Sequence, residues 1–260
     1  SPTLTQQLAP GHIGESWKLA GVAFGGIVLL GLMATGRFER SRVDGTLIEA
    51  WASLKSLRPK GERPEDRPPP DDPGNPSVNF HGEKRSNETH ESTTDPESRL
   101  YRKGRRHEAK LSYCGNVLME NHNGLIVDFR IEPASGHAEW DGALAMLDES
   151  VADQERVTVG ADKGYDVHRF VAALRERGIT AHVARHTNKR RSNVDRRTTR
   201  HSGYALSQRI RKRIEEVFGW GKTVACFRKT RFRGLARTQL AAHLVAAAYD
   251  LLRISKLKPA

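Results

Sequence analysis

The sequence is poor in cysteine, in aromatic residues and in the motifs of several enzyme classes. Its 260 residues include two cysteines, Cys114 and Cys226, without a CxxC pair, which excludes a disulfide scaffold and favours a reducing compartment. The eleven histidines show no HxH or HExxH spacing, so we expect no histidine-held metal. GxSxG is absent and neither cysteine has an activating context, which leaves no support for a serine or cysteine nucleophile.

Long apolar runs are almost as scarce. One uncharged run, from Leu19 to Gly36, approaches the length of a membrane span, but five glycines dilute it and only Lys18 flanks it as a basic residue. These features are unlike a secretory signal, and we expect no stable membrane association. Residues 1–41 are therefore interpreted as an atypical apolar leader that is buried or poorly ordered.

Acidic residues are too few to balance the basic ones. Forty-three Lys and Arg face thirty-one Asp and Glu, which gives a net charge of +12. The excess is local, because seventeen Lys and Arg between Arg185 and Arg237 stand against only Asp195, Glu215 and Glu216. A solvated basic face is one interpretation of this stretch, but an excess of this size in fifty-three residues favours nucleic acid as the partner.

The Pro-rich stretch at 58–98 is the main interruption of the chain. It carries eight prolines among Gly, Asp and Glu, a composition that cannot close a core, so we predict a long, solvated, disordered insertion. It separates a short strand from the body that follows. The predicted domain is thus residues 42–255, interrupted at about 58–98.

Hydrophobic periodicity predicts a mixed α/β sheet. Residues 42–51, 111–121 and 125–132 read as three consecutive antiparallel strands, the last two joined by the Asn-Gly hairpin signal at Asn123 and Gly124. A helix is predicted over 138–150 from the stripe that includes Trp140 and Leu144. The order strand, helix, strand, helix then predicts parallel strands on the other side of the sheet.

Capping and stripe signals place the later helices. Asp166 is predicted to cap the helix that ends at Gly178, and residues 179–184 form the next strand. Two amphipathic helices follow. The stripe of the earlier one is Ile210, Ile214, Val217 and Phe218, and that of the later one is Leu240, Leu244, Ala247, Ala248 and Leu251.

Three acidic residues are placed where a mixed sheet exposes side chains to a ligand. Asp44 lies in the predicted opening strand, Asp162 ends the strand VTVGAD, and Glu215 lies in the basic helix. Three carboxylates from separate segments can hold two Mg²⁺ ions that polarise a phosphodiester. The alternative is structural, because a strand-terminal Asp is commonly a cap and a helical Glu beside Arg is commonly a surface pair.

Helical geometry favours Glu215 over its neighbour. At 100° per residue, Arg211, Glu215 and Lys222 fall within an arc of about 40°, while Glu216 is rotated by about 100°. Glu215 therefore has cations on its own face of a continuous helix. Gly219 and Gly221 could end that helix before Lys222.

Four segments together resemble the catalytic domain of bacterial insertion-sequence transposases that carry an Asp-Asp-Glu triad. They are VDGTLIEAWAS (43–53), FHGEKRSNETHESTTDPESRLYRKG (80–104), GADKGYD (160–166) and RTTRHSGYALSQRIRKRIEEVFGWGKT (197–223). The resemblance spans about residues 42–255 and implies an RNase H-like fold. It also implies that Asp44, Asp162 and Glu215 are the catalytic residues and bind two Mg²⁺ ions, for which Mn²⁺ substitutes.

The resemblance also implies the reaction and the partners. Metal-assisted hydrolysis at the element's ends frees a 3′-OH, which then attacks target DNA. The partners implied are double-stranded DNA and, in the active state, a second copy of the chain. The place implied is the bacterial cytoplasm, near the nucleoid.

The family's helical motif is met by Arg211, Glu215 and Lys222. Its Tyr position holds Gln208 instead, so the DNA contact that the family assigns to this Tyr does not carry over to Gln208. The further DNA-binding residues expected in the basic stretch are Lys189, Arg190, Arg191, Arg209, Arg213, Arg228, Lys229, Arg231 and Arg233.

Residues 1–41 depart from the family, whose members carry a helical region before the catalytic domain. This favours the hypothesis of a truncated or frame-disrupted element. Three functions therefore stay open: a transposase, a DNA-binding remnant without catalysis, and a metal-dependent nuclease of the same fold.

Overall fold

The computed structural model describes residues 40–61, 85–104, 107–151, 157–186 and 191–257. Its strands are β1 (Arg40–Glu49), β2 (Leu57–Pro59), β3 (His90–Ser92), β4 (Arg99–Tyr101), β5 (Lys110–Glu120), β6 (Ile126–Pro133), β7 (Thr158–Ala161) and β8 (Thr180–Val183). Its helices are α1 (Ala138–Val151), α2 (His168–Glu176), α3 (Arg196–Arg200), α4 (Ser202–Ile210), α5 (Arg213–Thr223) and α6 (Leu235–Ile254). Short 3-10 turns lie at Leu54–Ser56 and Lys163–Tyr165.

The antiparallel half of the main sheet is built from β1, β5 and β6. β5 pairs with β1 from Ser41↔Glu120 to Glu49↔Ser112, and with β6 on its other side. The predicted hairpin between β5 and β6 is confirmed, and Gly124 takes the positive φ of 75° that the turn requires. The buried Glu120 carboxylate accepts the turn's N–H groups of His122, Asn123 and Leu125 at 2.7, 2.5 and 3.3 Å.

The parallel half continues from the other edge of β1. β7 pairs in parallel with β1, and β8 pairs in parallel with β7. The sheet order is therefore β4-β5-β1-β7-β8, with β6 also on β5. Three antiparallel strands followed by parallel strands, with flanking helices, make up an RNase H-like α/β fold, so the predicted fold class is confirmed.

The two faces of the sheet bury separate cores. One face packs β1, β5 and β6 against α5 and α6, with Ile48, Val117 and Ile214 among its buried residues. The opposite face packs against α1 and α2, with Val43 and Phe170 among them. Because side chains alternate along a strand, β1 contributes residues to both cores, and Asp44 lies on the same face as Ile48.

Helix α6 covers the outer edge of β6. The Asp250 carboxylate accepts the Ile126 N–H at 2.8 Å. The Gln239 amide accepts the Ile131 N–H and donates to the Phe129 carbonyl, both at 2.6 Å. An edge strand needs partners for its free backbone groups, and side chains of α6 supply them.

The predicted stripe of α6 is wrong. Leu244 and Leu251 are 61% and 56% exposed, whereas the buried side chains are Thr238, Ala241, Ala242, Ala246 and Asp250. Small side chains let the helix approach β6 closely enough for the edge hydrogen bonds. The larger leucines are left outside for that reason.

The helix that carries Glu215 is not continuous. α4 ends at Ile210 and α5 begins at Arg213, so Arg211 and Lys212 form a junction between two helices. Both junction residues nevertheless have right-handed helical backbone angles, so the break does not by itself remove the predicted common face of Arg211, Glu215 and Lys222. Gly219 and Gly221 lie inside α5, which continues to Thr223.

The predicted cap of α2 is also wrong. The helix begins at His168, and its N-cap residue Val167 makes no side-chain cap hydrogen bond. The Asp166 carboxylate instead accepts the backbone N–H groups of His186 and Asn193 at 2.9 and 2.8 Å. Asp166 thereby holds the segment after β8 rather than the helix.

The range predicted for the solvated insertion, residues 58–98, is too wide at both ends. Its described borders form the small β2-β3 sheet, and Asp95 is buried where it accepts the Tyr113 hydroxyl at 2.6 Å. Residues 62–84, which hold six of the eight prolines, lie outside the described residues, as does the leader up to residue 39. In the described part of the chain, no helix is long and apolar enough to cross a membrane.

Candidate active site

One face of β1 meets the α4–α5 segment at three successive positions. Arg42, Asp44 and Thr46 point to this face because residues two apart share a side of a strand. Arg42 is fully buried and donates to the Ser207 carbonyl of α4 at 2.8 Å, and Lys222 of α5 donates to the Thr46 hydroxyl. Asp44 lies between these two contacts.

Asp44 is surrounded by other carboxylates. Burial is the largest cause that raises its pKa to about 7, and the N–H of Gly45, 2.9 Å from its Oδ1, opposes the rise. The negative charges of Glu139, Asp162 and Glu215 raise the pKa further. The three acids predicted from the sequence are therefore close enough to interact, although they come from β1, the end of β7 and α5.

Asp162 lies at the carboxyl end of β7, as predicted. It is exposed, and its carboxylate accepts the Lys163 N–H at 2.5 Å at the start of the 3-10 turn. Arg211, at the α4–α5 junction, forms an ion pair with the same carboxylate. The structure thus brings Arg211 to the site even though the predicted continuous helix is absent.

The neighbouring carboxylates Glu215 and Glu216 differ in the groups whose pKa values they affect. Both are exposed in the opening turn of α5. Glu215 acts on the pKa of Asp44, whereas Glu216 acts on the pKa of Tyr249, on α6. The two carboxylates therefore have different neighbours, and Glu215 is the one whose charge raises the pKa of Asp44.

Glu139 is a fourth acid that sequence reasoning missed. It lies in the opening turn of α1, and its pKa is raised by burial and then by the charge of Asp162. The sequence signal was ambiguous, because an acidic residue at a helix N-terminus commonly only complements the helix dipole. The next residue, Trp140, was predicted to have a structural role. The indole N–H of Trp140 donates to the Gly164 carbonyl at 3.1 Å, which agrees with that interpretation.

A family model described as the transposase DDE domain matches residues 85–251. The chain belongs to this family. The match runs from before β3 into α6 and includes Asp162 and Glu215. It begins after β1, which carries Asp44.

Two solved structures are similar to this transposase domain at low identity. They are a pre-cleavage Mos1 transpososome and a Mos1 transposase paired-end complex with the left transposon end, each at 9% identity. Their TM-scores are 0.27 and 0.26, and the matches cover 99% and 96% of this chain. The chain spans 66% and 65% of the length of those chains. No curated protein matches the chain.

The donor set of the transposase domain fits a hard divalent cation, because every candidate ligand is a carboxylate. The crowding at Asp44 fits as well, since a cation would offset the charges that raise its pKa. Within the described ranges, however, no three side chains of His, Cys, Asp or Glu are close enough to hold an ion together. Asp162 is paired with Arg211 instead.

The residue at the family's Tyr position is used inside the fold. Gln208 is half-buried and its amide donates to the His182 carbonyl of β8 at 2.7 Å. The imidazole of His182 in turn hydrogen bonds with the Ser207 hydroxyl at 2.7 Å. Gln208 therefore joins α4 to the sheet.

The predicted DNA-binding residues are scattered over several surfaces. Arg213 donates to the Asn121 carbonyl at 3.1 Å, and Lys229 pairs with Glu49 at 3.2 Å. Lys189 and Arg190 lie outside the described residues. The exposed members are Arg191, Arg209, Arg228, Lys229, Arg231 and Arg233.

A basic cleft opens beside the candidate active site. It has a volume of about 1250 Å³ and lies where β8 ends, next to the end of β7 that carries Asp162. Asp195, its acidic lining residue, already accepts the Arg197 N–H at 2.8 Å. The basic residues of the lining are Arg175, Arg185, Arg191 and Arg196, with His168 and His186 beside them. The DNA-binding residues predicted from the sequence include only Arg191 among them, although Arg185 and Arg196 lie in the predicted basic stretch.

Proposed function

We propose that this chain is the catalytic domain of a DNA transposase, in which Asp44, Asp162 and Glu215 are the catalytic carboxylates. The observation that carries the proposal is their convergence: three separate elements bring these side chains close enough for Asp162 and Glu215 to act on Asp44. Family membership supports the reaction class, which is hydrolysis at element ends followed by attack of the freed 3′-OH on target DNA.

The carboxylates are proposed to hold divalent ions, Mg²⁺ or Mn²⁺, in the DNA-bound state. Such ions, when bound, stabilise the charge at the scissile phosphate and activate the attacking hydroxyl. For Asp162 to take part, Arg211 must leave its carboxylate. A DNA phosphate is a competing acceptor for the Arg211 guanidinium, so DNA binding and release of Asp162 are proposed to be coupled.

The basic cleft is proposed to bind the DNA backbone next to the cleavage site. The Ala184 N–H donates to the Ala161 carbonyl at 3.0 Å, so Arg185 and Asp162 follow paired positions on neighbouring strands. Duplex lying on the cleft would therefore pass the carboxylates. Arg185, Arg191 and Arg196 form no ion pair within the described part of the chain, which leaves their charges available to phosphates.

Assembly follows the same proposal. Two element ends must be cut and joined together, so the active species is proposed to be a homodimer on double-stranded DNA. Its place of action would be the bacterial nucleoid.

The test is metal-dependent nicking of the DNA that flanks the protein's own gene, with wild type compared with Asp162→Ala. We expect nicks with 3′-OH termini at the element's ends, in Mn²⁺ or Mg²⁺, that are absent in the variant. DNA binding should persist in Asp162→Ala, because a negative charge is removed. Cleavage that survives the substitution would contradict the proposed site.

The Arg211–Asp162 ion pair also favours a second candidate, a DNA-binding protein without catalysis. In that case the acids are structural and the wild type binds duplex tightly without nicking it. A metal-dependent nuclease would nick without joining, so strand-joining products distinguish it from a transposase.

A further inference from the structure

Glu139 lies directly over Gly45, the residue after Asp44. A Cβ atom at position 45 would lie 2.6 Å from Cγ, 2.9 Å from Cδ and 3.0 Å from Oε1 of Glu139. Asp44 points to the α4–α5 face of β1, and position 45 points to the α1 face. Because residue 45 has no side chain, the Glu139 carboxylate reaches the backbone beside Asp44 from the opposite face.

Two contacts fix this placement. The Ala138 carbonyl accepts from the Asn116 amide at 3.2 Å, and Asn116 is the partner of Gly45 in the β1–β5 register. The Trp140 indole reaches the turn after Asp162. The opening turn of α1 is thus tied both to the strand beside Asp44 and to the segment of Asp162.

The carboxylate of Glu139 is left without a partner of opposite charge. Within the described ranges it forms neither a hydrogen bond nor an ion pair, and Lys103 is the cation that counteracts its raised pKa. A half-buried carboxylate beside other carboxylates is unfavourable unless a cation joins them. A role limited to the helix dipole would not require the side chain to lie toward other acids.

We propose that Glu139 is a fourth carboxylate of the divalent-metal site and supplies an oxygen ligand from the α1 face of β1, across Gly45. This inference rests on the proposed function, since it adds a ligand to the site of Asp44, Asp162 and Glu215. Gly45 is part of the same proposal, because the absence of a side chain at this position makes room for Glu139.

The test measures Mn²⁺ binding to the full chain by isothermal titration calorimetry in Glu139→Gln. The substitution keeps the shape of the side chain and removes its charge. Its matched control is Glu149→Gln, on the same helix, where the carboxylate pairs with Arg130 at 2.5 Å. We expect Mn²⁺ affinity to fall about tenfold or more in Glu139→Gln and to stay within about twofold of wild type in the control.

Thermal unfolding separates a ligand from a merely structural residue. In EDTA, Glu139→Gln should unfold at the same temperature as wild type or higher, because repulsion is removed. Addition of Mn²⁺ should raise the unfolding temperature of wild type more than that of the variant. A structural role would instead lower the variant's unfolding temperature in EDTA and leave the Mn²⁺-induced rise unchanged.

Asp44→Asn distinguishes failure of this inference from failure of the proposed function. If Asp44→Asn loses Mn²⁺ binding and Glu139→Gln keeps it, Glu139 is not a ligand and the triad stands. If neither substitution weakens Mn²⁺ binding, both the inference and the proposed metal site are overturned.

Discussion

Arg211 and Asp162 form an ion pair that joins the α4–α5 junction to the end of β7. The pair places a guanidinium on one of the three carboxylates that the proposed reaction needs. Metal binding, DNA binding and the position of Arg211 are therefore linked in the proposed mechanism.

Removal of Arg211 should free Asp162. We expect Arg211→Gln to bind Mn²⁺ more tightly than wild type without DNA, by up to about fivefold, because a partly exposed ion pair contributes up to about 1 kcal/mol. The same variant should bind duplex DNA more weakly. Calorimetry measures the Mn²⁺ affinity and fluorescence anisotropy the DNA affinity. Arg209→Gln, at an exposed position of α4, is the control for the Mn²⁺ measurement alone, because Arg209 is itself a predicted DNA contact. Unchanged Mn²⁺ affinity in Arg211→Gln would contradict the coupling.

The basic cleft should determine part of the salt dependence of DNA binding. Wild-type affinity for generic duplex should fall tenfold or more between about 50 and 200 mM salt. In Arg185→Ala/Arg196→Ala, the slope of log K against log salt should be smaller by about 2, since about two phosphate contacts are lost. The matched control is Arg169→Ala/Arg177→Ala, whose arginines pair with Asp141 and Asp148 at 2.6 Å. An equal loss of slope in the control would show that only net charge matters.

Gly45→Ala should act through Glu139. The new Cβ would overlap the Glu139 side chain, so the carboxylate must move and Mn²⁺ affinity should fall. When Gly45→Ala is added to Glu139→Gln, Mn²⁺ affinity should fall little further. Calorimetry on the two single variants and the double variant gives the coupling. Fully additive losses would mean that Gly45 and Glu139 act independently.

Asp250 should make stability fall as pH rises. It is 1% exposed, and burial is the largest cause that raises its pKa to about 8, opposed by the Ile126 N–H and increased by Glu120. The folded state thus keeps a proton that the unfolded chain releases near pH 4. The stability that this group contributes is complete below about pH 4 and is lost as pH rises toward about 8.

Urea unfolding at several pH values tests this sign. Asp250→Asn keeps an oxygen acceptor for Ile126 and cannot ionise, so it should flatten the pH dependence and exceed wild type above pH 8 by about 1–3 kcal/mol. Asp148→Asn is the control, since its ion pair with Arg177 lowers the pKa of Asp148 and gives the opposite sign. A wild-type chain as stable at pH 9 as at pH 5 would contradict the assignment.

Local signals predicted the sheet well because turn chemistry and side-chain period determine it. Asn-Gly at residues 123–124 gave the hairpin, and the change of period after it gave α1 and the parallel strands. The prediction that Asp166 caps α2 was wrong because its carboxylate accepts hydrogen bonds from backbone N–H groups twenty and twenty-seven residues later in the chain. Such contacts follow from how the chain returns, which local pattern does not encode.

The candidate site was predictable only where local sequence pattern places its residues. Asp44 and Asp162 stand at positions that strand pattern alone identifies, whereas Glu139 depends on how α1 crosses β1. The face of α6 was mispredicted because hydrophobicity favoured its leucines, while close approach to β6 favoured alanines. Tertiary packing decided both cases.

The most direct test of the central claim compares Glu215→Gln with Glu216→Gln. These neighbours are both exposed in α5, but only Glu215 acts on Asp44. Cleavage of element-end duplex in Mn²⁺ should fall about a hundredfold or more in Glu215→Gln and stay near wild type in Glu216→Gln. Equal losses in both variants, or normal cleavage by Glu215→Gln, would contradict a triad of Asp44, Asp162 and Glu215.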